Sequence, residues 1–130
     1  MPHLEEEPTF DLLLSAAQVG QWDYVDAYIG MFANTDSALT WTTAGLVNVN
    51  KAVRDMAASL WEKSDRPFLP GVARKLAELI VGDPDCYVRF RAAFALFRRG
   101  DRTKYVCQRL KEATVDPQVS AIARQYLSED

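Results

Sequence analysis

A turn, a helix and a stop recur along this chain, and that recurrence limits its fold more than any other feature does. The fullest copy runs from Asp83 to Asp101. Asp83-Pro84-Asp85 makes a turn with a proline brake, Val88, Ala92 and Ala95 follow at helical spacing, and Gly100-Asp101 ends the helix. Val53-Arg54 echo Val88-Arg89 from 35 residues upstream, and Asp116-Pro117-Gln118-Val119 restart the pattern 31 residues downstream. A unit of this length cannot bury its apolar face alone, so a period of this kind demands that neighbouring units stack.

The rest of the chain is consistent with helices throughout. They are expected over residues 9–19, about 21–33, from the Asn34-Thr35-Asp36 turn to about 47, 51–63, from about 70 to the Gly82-Asp83-Pro84 turn, 85–99, about 102–113 and 117–128. Trp22, Val25, Ile29 and Phe32 share one face of the second helix, with Tyr24, Tyr28 and Met31 beside them. The sixth carries Val88, Ala92 and Ala95 on one side and Tyr87, Phe90, Phe94 and Phe97 on the other, a pattern that implies burial on two sides. No segment alternates with period two, and every connection is short. The expected fold is all-α, an α-solenoid of about four helical hairpins and about eight helices, over residues 9–130, with 1–8 as a flexible acidic tail.

Composition bears on function mainly by exclusion. No apolar run approaches the roughly 18–20 residues needed to span a bilayer, and Met1-Pro2-His3-Leu4-Glu5-Glu6-Glu7-Pro8 lacks the order of a signal peptide. Two cysteines without CxxC spacing point to a reducing, cytoplasmic setting. The single histidine, His3, falls in the tail, so no histidine-based acid–base or nucleophilic site is expected on the folded body. The same shortage argues against a metal centre. No Gly-rich phosphate loop or GxSxG is present. Neither catalysis nor a cofactor is expected.

Charge is unevenly spread. Residues 1–65 carry three basic and ten acidic side chains, a net of −7, whereas residues 66–130 carry twelve and eight, a net of +4. Arg98, Arg99, Arg102 and Lys104 straddle the Gly100 turn and form a basic rim. That rim is either a solvated turn whose cations complement a helix dipole or a contact patch for an acidic partner. The whole chain is acidic, with a sequence pI near 5.2, which disfavours nucleic acid as that partner. Trp41 is a second candidate contact, since an exposed Trp often anchors an interface, with core packing as the alternative. Ile122, Tyr126 and Leu127 on the last helix suggest a surface for self-association.

From about residue 48 onward the chain resembles HEAT-like repeats of the short kind also found in phycobiliprotein lyases. The resemblance rests on Asp83-Pro84-Asp85, Val88-Arg89, Ala92, Ala95-Leu96 and Gly100-Asp101, with partial copies at Val53-Arg54 and Asp116-Pro117. The first third is more diverged, and Leu13 to Val25 looks faintly like an ankyrin helix pair. The resemblance implies a structural ladder in which Arg54 and Arg89 bond to turn carboxylates, with Asp83 and Asp85 as acceptors. It also implies a non-catalytic protein-binding module, of the adaptor, immunity or assembly-factor type seen in stand-alone bacterial domains. A nucleic-acid-binding relative, or a chromophore handler using Cys86, Cys107 and a pocket near Tyr87–Phe97, remains the alternative.

Overall fold

A computed structural model describes residues 7–129. Among these are eight α-helices and no strand: α1 Phe10–Gln18, α2 Trp22–Tyr28, α3 Asp36–Gly45, α4 Lys51–Lys63, α5 Val72–Gly82, α6 Cys86–Arg98, α7 Lys104–Ala113 and α8 Ser120–Glu129. Most bounds fall within two residues of those predicted. The second helix differs: it ends at Tyr28 and tightens into a 3-10 turn over Ile29–Met31. Gly30 sits in that turn, where its low helix propensity lets the last α-turn give way. His3 and most of the predicted tail lie outside the described residues.

Local chemistry sets the helix ends. Thr9 Oγ1 accepts from Leu12 N at 3.1 Å, Asn50 Oδ1 from Ala52 N at 2.8 Å, and an Asp85 carboxylate oxygen from Val88 N at 3.0 Å. Each satisfies a donor that the first turn leaves without a partner. At the other end of α6, Gly100 takes φ 97°. Its N–H donates to Phe97 O and that of Asp101 to Leu96 O, the paired bonds of a glycine-terminated helix.

Consecutive helices pack in pairs, α1 with α2, α3 with α4, α5 with α6 and α7 with α8. Across the pairs, α4 packs on α6, α6 on α7 and α8, α1 on α4 and α5 on α7, and α6 meets α7 more extensively than α8 does. The two helices with most neighbours are accordingly the most extensively buried. Val53 and Met56 to Trp61 are buried in α4, as are Val88, Phe90 and Ala92 to Phe97 in α6. One core holds Ala57, Trp61, Leu76, Ile80, Phe94, Leu110 and their neighbours; a second holds Leu13, Val25, Ile29, Met56 and Leu60. Helix α4 contributes to both and forms the wall between them. Predicted two-sided burial in α6 follows directly, but Met31 in the second helix is 58% exposed.

Candidate functional site

Polar residues recur on one face of α4 at Asp55, Ser59 and Glu62, the four- and three-residue steps that place side chains one above another. In a helix otherwise buried, this stripe must find partners or cost free energy. Arg91, midway along α6, supplies them. Its Nη1 donates to Glu62 Oε1 at 2.9 Å, and its Nε lies 3.6 Å from Asp55 Oδ1. Tyr126 of α8 donates its hydroxyl to Glu62 Oε2 at 2.7 Å. Three helices are thus joined through one largely buried polar network, with both Glu62 oxygens bonded at its centre. Burial, and then the neighbouring Glu62 carboxylate, push the Tyr126 phenol well above its usual range.

Asp55 stands at the open end of this network. Ser59 Oγ donates to its Oδ1 at 3.3 Å. Burial raises the Asp55 carboxyl to about 6, against the pull of Arg91 and Ser59. A cleft of about 710 Å³ opens beside it, lined by Trp22 and Asp26 of α2, Lys51, Asp55 and Ser59 of α4, Asp85 at the α6 cap, Tyr87 and Arg91 of α6, and Gln118 and Val119 before α8. Lys51 approaches Asp85 at 3.8 Å and is itself 73% exposed. The Tyr87 hydroxyl donates to the carboxylate of Asp116 at 3.1 Å, which fixes the far wall. Among the described residues no three His, Cys, Asp or Glu side chains converge as metal ligands. No helix there is long and apolar enough to cross a membrane.

The arginines of the predicted basic rim make bonds within the protein. Arg98 donates to Ser64 O at 2.6 Å and to Asp65 Oδ1 at 2.7 Å, and holds the Asp65 carboxyl below the usual range. Arg99 donates to Trp61 O, Ser64 O and Arg66 O, and its guanidinium stands 4.0 Å from the Phe68 ring centre. Arg102 donates to Phe97 O and stacks on the Phe97 ring at 3.5 Å. Lys104 lies 5.2 Å from the exposed ring of Tyr105, and Arg98 and Arg102 remain exposed as well. The first two arginines thereby complete the C-terminus of α4, whose last carbonyls need donors.

Trp41 is half-buried. Its ring meets Phe10 edge-on at 4.9 Å and lies so close over Gly45 that a Cβ there would stand 2.9 Å from the indole. Of the ladder residues, Arg54 forks onto both oxygens of Asp83 at 2.7 and 3.1 Å, bridging α4 to the turn before α6. Arg89 takes another course: its Nη1 donates to the Asp83 carbonyl, and its buried Nε finds no acceptor. Asp85 caps α6 rather than accepting from either arginine. Cys86 and Cys107 are free thiols packed against the main core. Phe90, Phe94 and Phe97 are buried and do not line the cleft. Ile122, Tyr126 and Leu127, expected on a self-association face, pack against the core.

No family model matches this chain, and neither the curated proteins nor the solved structures contain a significant match to it. The cleft was not singled out from sequence. Its signals were present all the same: a polar stripe of Asp55, Ser59 and Glu62 in a greasy helix, and Arg91 between Phe90 and Phe94.

Proposed function

We propose that this chain is a non-catalytic protein-binding module, a short HEAT-like stack of four hairpins that recognises its partner in the cleft over α4 and α6. Pairwise packing of consecutive helices, with α4 on α6, α6 on α8 and α5 on α7, supports the stacked arrangement. The observation that carries the functional reading is the cleft itself: a preformed space of about 710 Å³ whose walls hold charges of both signs and the half-buried Trp22. A concave site with a few placed polar groups is where recognition concentrates. Arg98, Arg99 and Arg102 already donate to backbone carbonyls or stack on aromatic faces, which favours the cleft over the rim as the contact site.

Site-directed photo-cross-linking tests this reading. A benzophenone side chain is placed at Gln18 or Gln118 on the cleft edge, or at Lys104 on the basic rim, and the protein is irradiated in nuclease-treated host lysate. A common protein adduct from both cleft positions and none from Lys104 is the expected result. Adducts from Lys104 alone would return the site to the rim. No protein adduct from any position would overturn the module reading.

A further inference from the structure

One carboxylate in the cleft is only half satisfied. Both contacts of Asp55, from Ser59 and from Arg91, fall on Oδ1. Oδ2 accepts no hydrogen bond from the described residues. The side chain keeps just 15% of its surface exposed, and it lines the cleft. Oδ2 meets solvent at the cleft and is not a buried orphan, and in so confined a space a charge-assisted bond from an incoming donor is stronger than one formed in open water. The protein has none to spare: Arg91 makes its shorter bond to Glu62, and Lys51 leans toward Asp85.

The surrounding charge favours a cation. Asp26, Asp55 and Asp85 line the cleft against Lys51 and Arg91, while Glu62 lies behind Arg91 with both oxygens already bonded. An anion entering here would meet three carboxylates against Lys51, which already leans toward Asp85, and Arg91, which is bonded to Glu62. The carboxylates do not converge as a metal site, so the space suits a cationic head carried on an extended stem. Trp22 on the wall supplies an aromatic face for such a group.

Resting on the protein-binding reading above, the geometry points to a lysine or arginine side chain of the partner protein entering the cleft, its cationic head donating to Asp55 Oδ2. Asp55 is the only new counterion it needs. Arg91 and Ser59 hold the other oxygen in place, and Asp26 and Asp85 on the cleft walls add to the attraction for the head. Because burial raises Asp55 to about 6, this contact forms with the carboxylate above that pH and weakens as the carboxyl takes up a proton below it. The charged groups around it are Lys51 and Glu62 on its own helix, Asp26 from α2, and Asp85 and Arg91 from α6 and its cap.

Amide and indole NMR spectra of the full chain, titrated with N-acetyl-lysine methylamide and its arginine counterpart, test the proposal. The expected result is saturable shifts at Ser59, Arg91 and the Trp22 indole N–H. Affinity should be about fivefold higher at about pH 7.5 than at about pH 5, the scale of one ion pair. The ε-acetylated lysine probe should leave the spectrum unchanged. Asp55→Asn should weaken binding about fivefold or more with the remaining resonances in place, whereas Asp11→Asn on exposed α1 should not. Absence of shifts at about 50 mM probe, or equal affinity in Asp55→Asn, would overturn the inference. Spermidine binding more than about tenfold tighter than either amino-acid probe would overturn it in favour of a free polyamine. A cross-linked partner at Gln18 and Gln118 together with silent titrations would remove this contact and leave the protein-binding reading standing.

Discussion

The Asp55 carboxyl is raised from an ordinary 3.8 to about 6 because burial disfavours its charge more than Arg91 and Ser59 favour it. Its folded pKa therefore exceeds its unfolded one. The folded state holds the proton more tightly, so ionisation of Asp55 costs stability, and that cost grows as pH rises from about 4 through about 6. Asp55→Asn removes the charge and keeps the shape, although Arg91 then depends on Glu62 alone. The variant should gain about 1–2 kcal/mol over wild type at about pH 8 and nothing at about pH 4, read from urea denaturation at both values. Equal effects at the two pH values would mean that Asp55 is not desolvated as described. A residue that lowers stability at neutral pH while lining a cleft is better accounted for by what it binds than by what it holds together.

Helix α4 owes its C-terminal end to a partner 35 residues along the chain. Asn34 Oδ1 accepts from Asp65 N and from Ser64 Oγ on one side. Arg98 and Arg99 donate to the carbonyls of Trp61, Ser64 and Arg66 on the other. The ring of Phe68 is sandwiched between Trp61, 5.4 Å away and edge-on, and the Arg99 guanidinium. Arg99→Ala removes the side-chain donor to the Trp61 and Arg66 carbonyls, leaves Ser64 O to Arg98 and uncovers Phe68, so it should cost about 2 kcal/mol. Arg99→Lys should restore little, since an ammonium cannot fork across three carbonyls while lying flat on a ring. Urea midpoints give the cost, and hydrogen exchange should speed up between Ser64 and Gly71. A change below about 0.5 kcal/mol, together with loss of partner capture, would revive the rim as the binding surface.

The two cores meet on α4, which sends Met56 and Leu60 into one and Ala57 and Trp61 into the other. Adjacent positions on one helix cannot lose one core and keep the other rigid. The chain should therefore unfold in one transition, with far-UV circular dichroism and Trp fluorescence giving coincident curves. Separate midpoints for the two probes would show that the α1–α2 hairpin melts independently, as repeat stacks sometimes do.

Much of this was legible in the chain itself. Apolar spacing, proline brakes and capping residues placed α4 and α6 to within a residue, because those signals act over one or two turns. The Arg54–Asp83 contact was within reach too, since the Val-Arg and Asp-Pro-Asp signals singled out both residues as candidate partners. The cleft was not. Asp26, Asp55 and Arg91 come from three helices, and periodicity cannot say which charged residue of a two-sided helix will turn inward. Arg98 and Arg99 illustrate the same limit: their charge suggested a contact patch, but not that they also bond the end of α4. The sequence by itself determined that this protein is helical, where its helices begin and end, and which of them are apolar on two sides, because local sterics and hydrogen bonding decide those. Only the tertiary structure decided which charges are bonded within the protein and which are left facing a cleft, because that depends on how far each side chain stands from partners distant in the chain.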